Sequence, residues 1–260
     1  MPVGLTILGS GSSGNCAYVE TDQTRLLIDA GFSLRQIRKR LATIGRTPEK
    51  LDGILITHEH SDHIQGLAGL AEKLGIPVYC NRATLEGISP QLSPKARCNL
   101  FETGACFELG DVLVQTFTVP HDAYDPVGFL LKTSSGNIGF LTDLGHVTKL
   151  VLERVRSANV LILEANHDIK MLQDCPHRPW SLKQRILGRH GHLSNEAAAE
   201  TAEQLMSSDL RQIYLGHLSS ECNRPELARR VVAQRLEAIG AAHVALEVTS
   251  QKAPCPTFQF

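Results

Sequence analysis

The chain has 260 residues, 42% hydrophobic and 20% charged, values of an ordinary globular protein long enough to bury a sizeable core. Its net charge of −1 excludes attraction of nucleic acid by overall charge, so any affinity for phosphates must come from a local patch. No run approaches the roughly 20 apolar residues that cross a bilayer, the start Met1-Pro2-Val3-Gly4-Leu5-Thr6 lacks a signal peptide's segments, and the seven cysteines contain no Cys-x-x-Cys pair. These features exclude a disulfide framework and a thiolate zinc site, and lead us to expect a cytoplasmic protein without membrane attachment.

Val3–Leu8 reads as a first strand ending in the Gly/Ser-rich segment Gly9–Asn15, and Cys16–Thr21 with Arg25–Asp29 as a hairpin. Ser33 with Gln36 forms a capping-box pattern ahead of a helix whose Leu34, Ile37, Leu41 and Ile44 share one face. Its basic residues Arg35, Arg38, Lys39 and Arg40 are expected to be solvated. Gly53–Ile56 is a short buried strand, and Ile64, Leu67, Ala71 and Leu74 predict an amphipathic helix ending at Gly75.

Strands follow at Pro77–Cys80, Val112–Val119, Val127–Thr133 and Ile138–Thr142, then a helix over Val147–Arg156 and a strand at Val160–Leu163. Residues 166–191 read as irregular and basic. Helices over Asn195–Ser207 and Arg224–Ile239 flank a strand at Gln212–Leu215, with Asn223 and Glu226 as caps of the second helix and Gly240 as its stop. Val244–Val248 is the last expected strand. Alternating α and β elements without repeat or linker predict one α/β domain over residues 1–260.

Eleven histidines are many for this composition, and the densest group is His58-x-His60-x-Asp62-His63, directly after a buried strand. Imidazoles and carboxylates are the nitrogen and oxygen ligands of zinc and similar divalent ions. His58 and His60 project similarly from an extended turn, whereas Asp62 and His63 begin the next helix and face another side of the same pocket. Four ligands in two pairs suit two neighbouring ions better than one.

This cluster resembles the signature of the metallo-β-lactamase fold, a four-layer αβ/βα sandwich with its metals at one edge. The family's later motifs occur in order at strand ends: His121 in Pro120-His121-Asp122, Asp143 in Leu141-Thr142-Asp143, and His217 in Leu215-Gly216-His217. The resemblance implies His58, His60 and His121 on one metal, Asp62, His63 and His217 on the other, and Asp143 shared, with zinc or manganese as the ions. It implies that Asp29 supports the ligand loop and that Gly9–Asn15 lies near the metals, where backbone N–H groups could meet an anion. That loop lacks the lysine and spacing of a nucleotide P-loop.

His192 in Gly191-His192-Leu193-Ser194-Asn195 and Glu164 in Leu163-Glu164-Ala165 resemble the histidine–glutamate pair of ribonuclease Z-like phosphodiesterases, which implies general-acid work. His146 and His167 are expected to support the site or lie at the surface. Between Glu164 and His192, residues 170–190 carry Lys170, Arg178, Lys183, Arg185 and Arg189 against one acid, Asp174, with the sole tryptophan, Trp180. Phosphate contact, and stacking of a base on Trp180, are natural uses.

The stretches Leu8–Asn15, Leu27–Phe32, Thr57–His63, Pro120–Asp122, Thr142–His146, Glu164–Asp168, Gly191–Ala197 and Gly216–Asn223 are similar to the YycJ/WalJ-type group. That resemblance implies a dinuclear-metal phosphodiesterase acting on DNA as a 5′-to-3′ exonuclease. The competing readings are a small-molecule phosphodiesterase, an RNA-cleaving nuclease like ribonuclease Z, and a thioester hydrolase like glyoxalase II. From another class comes a metal-binding scaffold without turnover. A β-lactamase is disfavoured by Asp143. No single surface stripe marks an oligomer interface.

Overall fold

The computed structural model describes residues 3–206 and 209–260. In chain order the first half holds β1 (Gly4–Gly9), β2 (Cys16–Glu20), β3 (Arg25–Ile28), α1 (Leu34–Thr43), β4 (Gly53–Leu55), α2 (Ser61–Ile64), β5 (Val78–Cys80), α3 (Arg82–Ile88) and β6 (Cys98–Leu100). Next come β7 (Cys106–Leu109), β8 (Val112–Thr118), β9 (Val127–Lys132), β10 (Asn137–Leu141), α4 (Lys149–Val155) and β11 (Val160–Glu164). The chain finishes with α5 (Ile169–Asp174), α6 (Trp180–Leu187), α7 (Asn195–Gln204), β12 (Gln212–Gly216), α8 (Pro225–Ala238), β13 (Ala245–Val248) and β14 (Phe258–Gln259).

The strands form two seven-stranded sheets, β14-β1-β2-β3-β4-β5-β6 and β13-β12-β11-β10-β9-β8-β7. Three apolar clusters define four layers. Leu5, Ile7, Leu26, Ile28, Phe129, Val160 and Ile162 fill the space between the sheets. Leu27, Ile54, Ile37, Leu41 and Leu67 join the first sheet to its outer helices. Leu161, Leu163, Val151, Ala198, Ala202, Val232 and Leu236 do the same for the second. Successive residues of β3 and of β11 thus serve opposite faces, as the two-residue strand period requires. With both faces covered, these strands read as continuous apolar runs. Burying each Leu or Ile of this kind stabilises by roughly 1.5–3 kcal/mol.

β3 through β6 pair in parallel, as do β10 through β13, so the carboxyl ends of both parallel blocks share an edge. The loops at that edge carry the histidines and carboxylates singled out above. The expected capping of α1 is present, with Ser33 accepting from the Gln36 N–H.

Several expectations need correction. The helix expected through Leu74 breaks after Ile64 and resumes as one π-helical turn at Gly69–Lys73. The cause is local: the Gly66 N–H donates to Ala30 O, and Asp62 O accepts from the Asn15 N–H, so a helix bond is diverted into loop contacts. A side chain at Gly66 would press on the Phe32 carbonyl, 2.2 Å from its first carbon. Residues 166–191 are not irregular but contain α5 and α6. Asn223 does not cap α8; its Oδ1 accepts from Asn195 and from the Arg224 N–H, and Arg224 precedes the helix without a side-chain cap. Arg40 is buried rather than solvated, donating to Leu8 O at 2.6 Å and Gln251 O at 2.9 Å above the Phe32 ring. The strands β6, β7 and β14 and the helix α3 were not expected. α7 ends at Gln204, and Ser207, its expected terminus, lies outside the described residues.

Candidate active site

The candidate ligands and Glu164 are delivered by strand ends or the turns after them, and His192 by the connection between α6 and α7. β4 leads into Thr57–His63, β8 into His121, β10 into Asp143, β11 ends on Glu164, and β12 leads into His217. Asp29, Asp143 and His217 have φ of 60°, 60° and 56°, the non-glycine residues of positive φ among those described. Such conformations are disfavoured for L residues and are held here by the surrounding packing. Gly31 is required where three loops meet, since a Cβ there would lie 1.7 Å from Asp62 O.

All seven expected ligands converge. His58 Nε2 lies 3.0 Å from His60 Nδ1, which lies 3.3 Å from His121 Nε2. Asp62 Oδ2 lies 3.3 Å from His217 Nε2 and 3.5 Å from His63 Nε2. Asp143 sits between these trios, its Oδ2 3.2 Å from His63 Nε2 and its Oδ1 3.8 Å from His121 Nε2 and 3.3 Å from His217 Nδ1. Within each trio one ligand atom per residue falls within 4.8 Å of the others.

Supporting groups fix which ring nitrogen faces inward. Asp29 Oδ2 accepts from His63 Nδ1 at 2.7 Å, while its Oδ1 accepts from the Thr57 N–H. Thr57 Oγ1 lies 3.0 Å from His58 Nδ1. His121 Nδ1 donates to Gly191 O at 3.1 Å. Metal-ligating histidines characteristically use their second nitrogen in this way. Glu164, fully buried, takes four donors: Oε1 from His192 Nδ1 at 2.8 Å and His217 Nδ1 at 2.7 Å, Oε2 from the N–H groups of Leu144 and Leu193. It therefore holds His217 as well as its expected partner His192.

The electrostatics follow from burial among alternating charges. Burial, with His63 adding to it, holds His58 well below the ordinary histidine range. Burial also lowers His63 and His217, but for each it is outweighed by carboxylates, Asp143 first, so both sit well above that range. Burial raises Glu164, yet His192 and His217 outweigh it and bring its carboxyl to about 2. His192 is raised: burial opposes, and Glu164 prevails.

The donor set fits divalent metal. Three imidazole nitrogens facing one another cannot satisfy each other as hydrogen-bond donors, because each contact needs one proton and one lone pair. Asp143 Oδ2 is buried without a hydrogen bond of acceptable geometry. Inward lone pairs on nitrogen and a buried carboxylate oxygen without a well-formed hydrogen bond are what a divalent cation requires.

A cleft of about 210 Å³ opens over these groups, walled by Ser12, Asn166, Arg178, Leu182, Arg185 and Ser219. His192 reaches it with 21% of its side chain exposed. Ser194 caps α7. Of the expected phosphate contacts, Lys183 is withdrawn: it is buried and its Nζ donates to Gln173 O. Trp180 is 62% exposed and does not line the cleft. His146 Nδ1 binds Arg189 O. His167 is buried with both ring nitrogens unpartnered, and burial brings it to about 4.

The sequence reading missed Ser10 and Asn15. Ser10 Oγ accepts from the His217 N–H and donates to Asn15 Oδ1, while Asn15 Nδ2 reaches Asp62 Oδ2 and His63 Nε2 at 3.3 and 3.2 Å. The available signal was an asparagine closing a Gly/Ser loop at a strand end, a residue able to bind two loops at once.

Comparison with known proteins agrees with this geometry. The profile of the beta-lactamase superfamily domain matches residues 24–218. The exodeoxyribonuclease WalJ of Streptococcus pneumoniae strain D39 is 42% identical over 235 residues, 89% of this chain and 87% of that protein. The exodeoxyribonuclease YycJ of Bacillus anthracis is 38% identical over 242 residues, covering 92% and 91%. Among solved structures, the metallo-β-lactamase-fold protein YhfI of Bacillus subtilis superposes with a TM-score of 0.76 at 15% identity, covering 100% of this chain and 99% of that one. The chain belongs to the metallo-β-lactamase superfamily and, within it, to the WalJ/YycJ family of exodeoxyribonucleases.

Proposed function

We propose that this protein is a metal-dependent exonuclease that degrades DNA from the 5′ end, with two divalent ions, zinc or manganese, in the centre described above. The observation that carries this is the convergence of two ligand trios on one shared carboxylate, His58/His60/His121 and Asp62/His63/His217 about Asp143. Relatives named as exodeoxyribonucleases, alike over about nine-tenths of the chain, support DNA as substrate. The 5′-to-3′ direction follows the family resemblance.

The chemistry supplied by bound divalent ions is activation of water and neutralisation of charge on the phosphoryl oxygens. The remaining work falls to side chains. Glu164 holds Nδ1 of His192, which leaves Nε2 as the ring nitrogen available to the cleft. A protonated His192 donates from there to the departing sugar oxygen, a step worth roughly 10²–10⁴-fold in general acid catalysis. Glu164 is a positioning residue, since it touches His192 and His217 rather than the cleft. Asn15 and Ser10 hold the Asp62 and His217 loops in register. Among the described residues no helix is long and apolar enough to cross a membrane; the seven free cysteines suit a reducing cytoplasm, where we place the protein.

The test is incubation with duplex DNA, single-stranded DNA and RNA, labelled at either end, and with bis(p-nitrophenyl) phosphate and S-lactoylglutathione, with zinc or manganese added. Stepwise release of nucleotides from the 5′ end of DNA is expected. Turnover of only bis(p-nitrophenyl) phosphate, or only of S-lactoylglutathione, would overturn the assignment.

A further inference from the structure

The segment carrying α5 and α6 leaves the second sheet after Glu164, passes over the centre and returns at Gly191. Of its five basic residues, two face the cleft, Arg178 and Arg185. They attach to opposite sides of the centre. Arg185 Nε donates to the carboxylate of Asp122, the residue after His121. Arg178 Nε donates to Glu221 Oε2 at 3.0 Å, in the loop after His217. One guanidinium therefore stands beside each ligand trio, and the scissile phosphorus would sit between them.

We propose that Arg178 and Arg185 bind the phosphates flanking the scissile one, and that Glu221 and Asp122 occupy these guanidinium groups until a polynucleotide replaces them. This assignment rests on the nuclease function proposed above and names the groups that select a polymer over an isolated phosphodiester. A guanidinium offers a planar fork of five donors matched to phosphate oxygens, and each of these two is engaged through Nε. The carboxylates are suited to exchange. Glu221 is 50% exposed and Arg185 61% exposed at the side chain, so one member of each pair lies in solvent, where ion pairs are weak. A small ester has no flanking phosphates, so it gains nothing from either arginine. Lys183 cannot take this part, because its ammonium is committed to Gln173 O within the segment.

The experiment reads the ratio of kcat/KM on a single-stranded oligonucleotide to that on bis(p-nitrophenyl) phosphate. It is paired with oligonucleotide binding by fluorescence anisotropy in chelator. Arg178→Ala and Arg185→Ala are each expected to lower the ratio by about 10-fold and to weaken binding similarly, with the loss in KM. Each should reduce the slope of log affinity against log salt by about 0.7, the share of one phosphate contact on a single strand. Arg178→Lys should retain the slope while recovering part of the affinity.

Glu221→Gln should raise the ratio about two- to fivefold, a gain within the range of one exposed ion pair. A segment merely clamped by these pairs gives the opposite pattern: Glu221→Gln would then lower both activities, as the arginine variants would, with the salt slope unchanged. That result overturns the assignment. A wild-type protein that hydrolyses the small ester but neither binds nor cleaves the oligonucleotide would instead sink the nuclease function itself.

Discussion

At the end of the sandwich away from the cleft, the β2–β3 turn meets the β7–β8 turn, and Thr21, Thr24 and Asp111 satisfy one another. Asp111 Oδ1 accepts from the hydroxyls of Thr21 and of Thr24, the latter at 2.6 Å, and the Asp111 N–H donates back to Thr24 Oγ1. At the cleft end the carboxylates are also sheet-to-sheet connectors, but their surroundings are incomplete. Asp143 Oδ2 has no hydrogen bond of acceptable geometry, His60 Nδ1 lies 3.0 and 3.3 Å from the nitrogens of His58 and His121, and three residues occupy left-handed conformations that cost ~1–3 kcal/mol each. The same kind of side chain closes the structure at one end and leaves it open to a cation at the other.

The largest effect expected from breaking this contrast is at Asp143, which lies between the trios and which we propose both share. Asp143→Ala should leave the trios without their common ligand. Turnover should fall by more than the ~10–100-fold that loss of a supporting group costs. Elemental analysis of the purified variant should show less bound metal than wild type. Full metal content with full activity would mean that Asp143 is not shared.

Metal removal probes the same end without mutation. A ligand that binds only the folded state stabilises it by about 2.7 kcal/mol at 100 times its Kd. Stripping the ions with a chelator should therefore lower the Tm, and readdition should restore it. A Tm indifferent to chelation would mean that the open end is satisfied by protein groups alone.

Next come the two groups that meet at Glu164. His192→Ala should retain metal while kcat falls by ~10²–10⁴, the range for loss of a general acid. Glu164→Gln disturbs His217 as well as His192, so it should also weaken metal affinity by ~10–100-fold. A competition assay with a chromophoric chelator separates them: equal metal loss in both variants would place His192 among the ligands.

How much of this was legible in the chain depends on how each part is encoded. His58, His60, Asp62 and His63 are local in sequence and mark the centre directly. His121, Asp143, Glu164 and His217 arrive singly, each after an apolar strand, and acquire meaning only together, because the topology brings parallel strand ends to one edge. Within the parallel blocks β3, β4, β10, β11 and β12 were legible because both their faces are buried. β6 was not, since its residues are half-buried or exposed at a sheet edge and only its pairing with β5 fixes it. α5 was hidden by its length of six residues, although Asp168, accepting from the Met171 N–H, was a usable cap signal. Arg40 looked solvated because its partners include Gln251, 211 positions away. Long-range contacts of that kind leave no local periodicity.

The smallest effect is expected at the far end, and it is the sharpest check that the two ends are separate. Burial raises the Asp111 carboxyl, but hydrogen bonds from Thr21 and Thr24 outweigh it, so its folded pKa lies below the unfolded value. The folded state therefore binds fewer protons than the unfolded one through that interval, and stability falls with falling pH there. Asp111 contributes fully above the unfolded carboxylate value of about 3.9, and the contribution is lost as pH drops through the lower folded value. Because the carboxylate is exposed, the contact is worth only ~1 kcal/mol after solvent screening. In a chain of this size that corresponds to about 2–4 °C in Tm. Asp111→Ala should show this deficit at pH 7, converge on wild type in strong acid, and leave oligonucleotide cleavage unchanged. A tenfold loss of activity in Asp111→Ala with its Tm intact would show that the hairpin contact transmits to the cleft, and the separation drawn between the two ends would be wrong.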